Sequence, residues 1–519
     1  MKSFVMALLF TVGLLGNANA TTYHIRPDGG NRITCDGKTD APYSGFGFRQ
    51  PCSFNNPLWA TGIVSSASLK SLLVSGDTLF IHKGEYKIGY DPQFAEYCGL
   101  NSTFDCRPRS LPAGTPEART RIIGEGHDDG CSAPPVLWGT ENVNSILDLR
   151  GSSWTDVSCL EITDHHSCRV GGPASNRCNQ GPFPKGPYAQ NGIIVTGATG
   201  VNLTDVNIHG VGLYGLYTSK LTDFTFTRGK INGSGQAGWH GEYIQGNSSN
   251  SGKIVFRDGE IRWNGCAENY PEKTSPVPGS CCSQGQRCYN DGIGMSDSGG
   301  DYLIENSDIS FNAEDGIDLL HVTKDPPTSV TIRGNRIEGN AGNGLKTGAT
   351  NVLVENNKIL SGCDFLGQSP SFSPGWIMGD NSCRGGGEPI GMEIQGRTHH
   401  LVKNNAIIQT VKGKNVSIFG KAPGAVCLGT EDVVFEDNLI VGGNYLQYND
   451  VRDCTGWGLG SFQNFSNIIY KVSSGCPAGE GNVCTGEKVV GLEKLLTYSP
   501  GMEVPGPEGW LPIPVPEPT

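Results

Sequence analysis

Charged residues and long apolar runs are both scarce in this sequence. Asp, Glu, Lys and Arg make up only 17% of the 519 residues. This low charge argues against helical bundles, and the lack of a regular leucine pattern argues against a leucine-rich repeat. After the first twenty residues no apolar stretch is long enough to span a bilayer, so we predict a protein without membrane insertion.

An excess of basic residues is also lacking, and the net charge is −12. Phosphate backbones are bound by basic faces, so nucleic acid is not an expected partner. An acidic polysaccharide is compatible with this charge only if local cations or a bound metal hold it. We expect the protein to be a monomer.

The N-terminal segment has the pattern of an export signal. Lys2 precedes an apolar core at residues 4–15, and small residues end at Ala20. This pattern predicts cleavage after Ala20 and secretion to the periplasm or the extracellular space. An uncleaved membrane anchor is the alternative, although the apolar core is short for a membrane span.

Cysteine is abundant, with 18 residues, and export implies an oxidising compartment. We therefore predict that most cysteines form disulfides. Two cysteine-rich segments, 266–288 and 363–383, interrupt the repeats described below and are expected to form disulfide-tied walls of a cleft. Zinc binding is the alternative for these clusters, but paired C-x-x-C motifs with His partners are absent.

Glycine is frequent, at 75 residues, and two phrases repeat along the chain. The first phrase alternates apolar residues and then places Asn or Asp before another aliphatic residue. One position of this phrase is held by Asn335, Asn357, Asn405 and Asn438. Asn tolerates left-handed backbone, and its amide can bond to the neighbouring coil, so we predict an asparagine ladder at a turn.

The second phrase has the form x-Gly-aliphatic-x, with some variation. It begins at residues 191, 214, 240, 291, 315, 343 and 390, and several successive starts are 23 to 28 residues apart. A period of this size with short strands predicts a solenoid whose coils stack ~4.8 Å apart. The predicted fold is all-β: a right-handed parallel β-helix with an N-terminal cap and cystine-rich loop insertions.

The chain divides by pattern into four stretches. These are a signal peptide at 1–20, a cap with the first coils at 21–140, the β-helix with its cleft at 141–490, and a Pro-rich tail at 491–519. Residues 75–86 predict the first strand and turn of the solenoid. The segment before them, with Cys35 and Cys52, is expected to cover its open end.

Overlaying the second phrase coil by coil collects acidic residues on one edge. The first column contains His240, Asp291, Asp315 and Asn343, and the fourth contains Tyr243, Gly294, Asp318 and Lys346. Glu314 precedes Asp315, so four carboxylates fall on two adjacent coils. Asp-Gly and Asn-Gly are also ordinary turn dipeptides. The coincidence of these carboxylates with a lysine on the next coil favours a functional site.

Closely packed carboxylates repel one another, and a bound divalent cation relieves that repulsion. Ligands that are all oxygen favour Ca²⁺, so we predict a calcium cofactor held by Asp291, Glu314, Asp315 and Asp318. A neighbouring cation disfavours the ammonium form of Lys346, whose pKa is expected to fall toward that of a useful base. This pair suits removal of the C5 proton of a uronate, beside its carboxylate.

At these residues the sequence resembles polysaccharide lyase family 9. The family pattern of an Asp-Gly coil, an Asp-Asp-Gly-x-Asp-Leu coil and an Asn-Gly-x-Lys-x-Gly coil corresponds to residues 290–292, 314–319 and 342–348. The resemblance implies a calcium-dependent β-helical lyase acting on uronate polymers, with the four carboxylates as ligands and Lys346 as the Brønsted base. Glu314 departs from the family aspartate, and the cystine-rich loops are additional, so the substrate is not carried over.

The sequence thus predicts a secreted polysaccharide lyase that cleaves a uronic-acid-containing polysaccharide by β-elimination. Candidate substrate-binding residues are His240, Glu242, His321 and Arg384. A glycoside hydrolase using paired carboxylates such as Glu242 and Asp318 is one alternative. A uronate epimerase and a noncatalytic carbohydrate-binding protein are the others.

Overall fold

The structure is a computed structural model of the 519-residue chain. It describes residues 20–65, 67–98, 103–139, 141–165, 188–242, 249–266, 268, 290–361, 389–392, 399–409, 416–417, 432–442, 446–447, 461–465, 468–470 and 483–485. The predicted signal peptide, the predicted tail and most of both cysteine-rich segments lie outside these residues.

The chain winds as a right-handed parallel β-helix, which confirms the predicted fold class. Each coil contributes strands to parallel sheets, and each strand pairs with its counterpart on the next coil. Three stacks of strands result, which we call face A, face B and face C. Two long strands, Thr155–Asp164 and Thr199–His209, belong to both face A and face B.

The remaining strands of face A are Thr22–Gly30, Thr78–Ile81, Thr120–Gly124, Thr222–Thr227, Ser251–Arg257, Asp301–Glu305, Ser329–Arg333, Asn351–Glu355, His399–Lys403, Asp432–Glu436 and Ser461–Phe465. Those of face B are Glu85–Ile88, Val136–Gly139, Lys230–Asn232, Glu260–Arg262, Asp308–Ser310, Arg336–Glu338, Lys358–Ser361, Ala406–Gln409, Leu439–Gly442, Ile468–Tyr470 and Val483–Thr485. Face C consists of Ser145–Asp148, Asn191–Thr196, Tyr214–Ser219, Trp239–Gly241, Ile293–Met295, Ile317–Leu319, Leu345–Thr347 and Ile390–Met392.

The core is a set of aliphatic columns inside the coil. Side chains alternate across a strand, so every second residue points inward and meets the equivalent residue of the next coil. On face C one such column is Ile293, Ile317, Leu345 and Ile390, all buried. The residues between them therefore point outward in a column of their own, and that column forms the candidate site.

The solenoid begins one coil earlier than the sequence predicted. Thr22–Gly30 pairs in parallel with Thr78–Ile81, so residues 75–86 form the second coil rather than the first. The strand at Thr22–Gly30 was missed because a long segment separates it from its partner, and spacing alone does not reveal the pairing.

The segment between these two strands is compact. It contains the short helix Leu58–Thr61, whose four residues are buried, and the disulfide Cys35–Cys52. Strand Ile63–Val64 pairs antiparallel with Arg107–Pro108 nearby. Two 3₁₀ turns, Pro92–Phe94 and Thr103–Asp105, and a separate parallel pair, Val416–Ser417 with Leu446–Gln447, complete the described elements.

The predicted asparagine ladder is present. The side-chain amide of Asn335 donates to the side-chain oxygen of Asn357 at 3.0 Å, and Asn357 donates in the same way to Asn405 and Asn405 to Asn438. The left-handed residue is, however, the one before each ladder position: Gly334, Asn356, Asn404 and Asp437 all have positive φ. The ladder asparagines therefore serve as hydrogen-bonding residues, and the turn is made by their neighbours.

A second ladder was not predicted. Asn264 donates to Asn312 at 3.0 Å and Asn312 donates to Asn340 at 2.9 Å, and all three side chains are buried. Among the described residues, none of the helices is both long and apolar enough to cross a membrane.

Candidate active site

The outward column of face C brings the predicted site residues together. Its register places Gly294 beside Asp318, and Asp318 beside Lys346. The predicted juxtaposition of Asp318 and Lys346 on adjacent coils is therefore confirmed. The phrase alignment was correct over these coils because they have similar length and share the x-Gly-aliphatic-x pattern.

The same register corrects the position of His240. This residue pairs with Gly294, so it lies in the column of Asp318 and Lys346 rather than in that of Asp291. The preceding glycine that matches Gly292 is Gly238, whose amide bonds to the Asp291 carbonyl. The alignment failed because His240-Gly241 resembles the repeat phrase but lies three residues after the true start of that phrase. Tyr243, which the alignment placed in the fourth column, lies outside the described residues.

Two of the carboxylates hold backbone turns of neighbouring coils. One oxygen of Asp291 accepts a hydrogen bond from the Asp315 amide at 3.1 Å, and one oxygen of Asp315 accepts from the Asn343 amide at 2.6 Å. Asp318 accepts from the Leu320 amide at 3.1 Å. Each aspartate thus accepts a backbone amide hydrogen bond with its Oδ1 atom. This hydrogen bond fixes the direction of the second oxygen of the same carboxylate.

Lys346 links two of these second oxygens. Its Nζ donates to Oδ2 of Asp318 at 3.0 Å and also to Oδ2 of Asp315. The lysine is 9% exposed and Asp315 is fully buried. The ammonium group is therefore held at the edge of the acidic cluster, facing the outward column.

Asp291 lies in a strongly acidic environment. Burial, together with repulsion from Asp315, Asp318 and Glu314, raises the pKa of its carboxyl well above the usual range, although Lys346 acts in the opposite direction. Gly294 leaves the space for this carboxylate, since a Cβ there would lie 2.6 Å from Oδ2 of Asp291. The glycine in the outward column is thus required by the acidic cluster.

Asp291, Asp315 and Asp318 can fit one cation. Each offers a carboxylate oxygen, and these oxygens lie within 4.8 Å of one another. Ligands at 2.3–2.6 Å from a Ca²⁺ ion are at most about 5 Å apart, so the spacing suits that ion. The hard oxygen donors of this set also match its chemistry.

Glu314 is not part of this three-aspartate group, which differs from the sequence prediction of four converging carboxylates. Its Oε2 accepts from the backbone amide of Asn290 at 3.2 Å, and the side chain is 1% exposed. A glutamate side chain is one methylene longer than that of an aspartate. The carboxylate of Glu314 therefore reaches the Asn290 amide in the turn of the preceding coil.

His240 adds an aromatic surface next to the acidic coils. Its ring stacks on Tyr214 with centroids 4.4 Å apart, and Tyr217 precedes it in the outward column. Burial lowers the pKa of His240 to about 4, so the imidazole is neutral. The two tyrosines were not among the predicted site residues, although the repeat phrase Tyr214-Gly-Leu-Tyr217 already placed them on face C.

The other predicted substrate residues are not brought together. Glu242 is buried, and its carboxylate accepts from the Lys220 amide at 2.8 Å, which indicates a structural role. His321 is exposed on the turn that follows Ile317–Leu319. Arg384 lies outside the described residues, as do most residues of the segments predicted to wall the cleft.

The sequence of the coils identifies their family. Residues 191–359 and 280–455 match the family model of the right-handed β-helix region, and together these matches span half of the chain. The chain belongs to the right-handed β-helix family. No curated protein sequence is significantly similar to it.

Several solved β-helix structures resemble this β-helix protein at low identity. Pectate lyase Pel9A is 15% identical, with 96% of this chain and 89% of that chain covered and a TM-score of 0.38. The mannuronan C-5 epimerase AlgE6 A-module of Azotobacter vinelandii is 12% identical, with 80% and 92% covered and a TM-score of 0.40. The Dettilon tailspike protein is 12% identical, with 79% and 62% covered and a TM-score of 0.40, so the chain spans less than two thirds of that protein. These values carry no information about substrate or reaction.

Proposed function

We propose that this β-helix protein is a secreted polysaccharide lyase that cleaves a uronic-acid-containing polysaccharide by β-elimination, with Ca²⁺ as cofactor and Lys346 as base. The observation that carries the proposal is the contact of Lys346 with Asp315 and Asp318 beside Asp291. A buried lysine next to three converging carboxylates is costly for fold stability alone, because charged groups lose hydration when buried. A role in catalysis accounts for the retention of this arrangement.

The residues have separate tasks in this reaction. Asp291, Asp315 and Asp318 would hold the cation, and a bound cation would neutralise the uronate carboxylate and make the C5 proton more acidic. A cation held by Asp315 and Asp318 would displace the ammonium group from these carboxylates and so favour the neutral amine of Lys346. Neutral Lys346 then takes the C5 proton, the C4–O bond breaks, a C4–C5 double bond forms, and the leaving oxygen takes up a proton from water. The outward position of Lys346 on face C directs its Nζ to a polymer lying along that face.

The position of His240 supports a sugar-binding subsite. It belongs to the same outward column as Lys346, and the partly exposed rings of Tyr214 and Tyr217 beside it provide flat surfaces of the kind that pack against sugar rings. The His240 ring is 4% exposed, so it supports these tyrosines and only its edge would reach a polymer. Glu242 has no comparable access, which weakens the hydrolase alternative that relies on this carboxylate.

The test is product analysis on pectate, alginate, glycosaminoglycans and bacterial exopolysaccharides. The proposal predicts unsaturated, ultraviolet-absorbing ends on one of these polymers, loss of activity on chelation, and recovery with Ca²⁺ rather than Mg²⁺. Saturated reducing ends would instead indicate a hydrolase. Deuterium incorporation at C5 without chain cleavage would indicate an epimerase, and binding without any product a noncatalytic protein.

A further inference from the structure

A second cluster of ligand atoms lies on the first two coils, among the described residues but apart from the acidic cluster. His24 belongs to strand Thr22–Gly30, His82 follows strand Thr78–Ile81, and Asp40 lies in the segment between them. Nδ1 of His24 is 3.3 Å from Nε2 of His82, and Oδ1 of Asp40 is 3.2 Å from the same Nε2. One atom from each residue lies within 4.8 Å of the others.

These separations match the edges of a tetrahedral metal site. Ligands bound to zinc at 2.0–2.1 Å in tetrahedral geometry are about 3.3–3.4 Å apart. A network of hydrogen bonds explains the cluster less well, because Nε2 of His82 faces both a ring nitrogen and a carboxylate oxygen. A single ring N–H on that atom can donate to only one of them along a good direction.

The surroundings of His82 resemble the outer shell of a metal site. Its Nδ1 lies 3.4 Å from Oε2 of Glu125, so the imidazole can donate to this carboxylate while Nε2 keeps its lone pair for a metal. Metal-ligating histidines commonly donate their other ring N–H to a carboxylate in this way. The Asp40 side chain is 46% exposed, which gives an ion access from solvent.

Arg26 is the competing cation at this position. Its Nη1 donates to Oδ1 of Asp40 at 2.9 Å. Arg26 also makes two hydrogen bonds to Asp28, at 2.9 Å and 3.2 Å, so it keeps a carboxylate partner if Asp40 turns to a metal. The arginine therefore lowers the affinity of the cluster for a cation without preventing binding.

We propose that His24, His82 and Asp40 form a zinc-binding site, with Glu125 as the carboxylate that orients His82 and a water molecule as fourth ligand. The mixed imidazole and carboxylate donors favour Zn²⁺ over Ca²⁺, in contrast to the all-oxygen acidic cluster. The three ligands come from two adjacent coils and the segment between them. Zinc bound here fastens that segment to the end of the solenoid.

The test is calorimetric titration of Zn²⁺ into untagged protein that has first been stripped with a chelator. We expect one site per molecule, a rise in thermal midpoint with Zn²⁺, and no such rise with Ca²⁺. His82→Ala is expected to weaken binding at least tenfold, and Glu125→Gln about tenfold, as for other outer-shell carboxylates. Asp40→Asn provides a third variant on an exposed residue, in case His82→Ala does not fold.

His127→Ala is the matched control. His127 lies near the same surface, with its ring 6.2 Å from Phe80, but pairs with Asp128 rather than joining the cluster. This variant and Asp318→Asn should bind Zn²⁺ like the unmodified protein. The proposal is overturned if the protein shows no saturable Zn²⁺ binding, if Asp40→Asn and His82→Ala bind normally, or if His127→Ala weakens binding equally.

Discussion

In the proposed reaction Lys346 acts beside the two aspartates that its ammonium group contacts. Asp315 is fully buried, whereas Asp318 is partly exposed. The ammonium group therefore contacts one carboxylate inside the acidic cluster and one in the outward column. A surface lysine would be paired with one exposed carboxylate and would gain little from it. Removal of the ammonium group would leave buried carboxylates without a charged partner, so we expect substitution of Lys346 to lower stability as well as the rate of the proposed reaction.

We predict that Lys346→Ala retains the fold but loses about 10²–10⁴-fold in turnover, because positioned proton transfer contributes that much. Lys346→Arg should be almost as inactive, since the guanidinium group remains protonated at any working pH. Initial rates of unsaturated product formation, together with calcium affinity from calorimetry, provide the measurement. Near-normal turnover by Lys346→Arg would rule out the lysine as base, even if calcium binding were found.

At the level of the element, the asparagine ladder connects coils through buried amides. Asn357 donates to the Ile332 carbonyl at 2.8 Å and to Asn405, and it accepts from both the amide and the side chain of Asn335. Asn335, Asn357 and Asn405 are all 0% exposed. Removal of the Asn357 side chain therefore leaves the buried Asn335 backbone amide without its acceptor. Asn335 Nδ2 still donates to the Ile304 carbonyl, and Asn405 Oδ1 still accepts from the Asn357 amide.

We predict that Asn357→Ala lowers the free energy of unfolding by about 2 kcal/mol, because a buried group left unpaired costs about 1–3 kcal/mol. The control is Asn202→Ala, which removes a part-buried amide with one bond to Asp156 at 2.9 Å. That variant should lose less than about 1 kcal/mol. Chemical denaturation of the two variants provides the comparison, and equal losses would show that the ladder adds no stability.

His209 joins the long strand Thr199–His209 to its neighbours. Its Nε2 lies 3.1 Å from Glu161 on strand Thr155–Asp164, and its Nδ1 lies 2.9 Å from Glu268. Burial disfavours the charged ring, but the hydrogen bonds to the two glutamates outweigh this effect and raise the pKa of His209 to about 9. The imidazolium thus connects the coils to Glu268, at the beginning of the cysteine-rich segment 266–288.

This raised pKa gives a stability that depends on pH. A group whose pKa is higher in the folded state stabilises the fold fully below its unfolded pKa of about 6.5, and the stabilisation is lost as pH rises through about 9. We predict that the native protein exceeds His209→Gln in unfolding free energy at pH 6 by about 3 kcal/mol more than at pH 10. Denaturation of both proteins across this range is the measurement. A difference that does not change with pH would contradict the ion-paired state, and His127→Gln, at a partly exposed histidine, is the control.

At the scale of the whole molecule, the described disulfides close short stretches of chain, with partners 8 to 28 residues apart in sequence. The described pairs are Cys35–Cys52, Cys98–Cys106 and Cys131–Cys159, and Cys266 is also disulfide-bonded. Free cysteines are absent from the described residues. This agrees with the prediction that most of the 18 cysteines are oxidised, and with the proposed secretion.

We predict that thiol labelling of the native protein modifies few cysteines, whereas reduction under denaturing conditions exposes all 18 to the reagent. Mass spectrometry of the intact protein counts the labels in both states. The physical reason is that oxidised sulfur does not react with an alkylating reagent. Extensive labelling without denaturant or reductant would show that the cysteine-rich segments are not tied by disulfides.

The sequence by itself determined the β-helical fold, the first asparagine ladder and the proximity of Asp291, Asp315, Asp318 and Lys346. These features repeat in phase, and parallel stacking converts a fixed period into contact between equivalent residues of adjacent coils. Wherever coils have similar length, counting along the sequence therefore gives the register. The left-handed residues at the turns differed by one position because both neighbours are turn-forming residue types.

Only the tertiary structure determined the contacts that the repeat period of the sequence does not predict. The column of His240 required the register of the strands, because a second glycine imitates the phrase. The pairing of Thr22–Gly30 with Thr78–Ile81 and the contacts of His82 with Asp40 and of His209 with Glu268 depend on segments of irregular length. The path of such a segment depends on its packing against the coils. Its length in the sequence therefore does not show which residues of the coils it contacts. The direction of the buried Glu314 side chain was likewise not predictable, because only the position of the Asn290 amide shows where its carboxylate bonds.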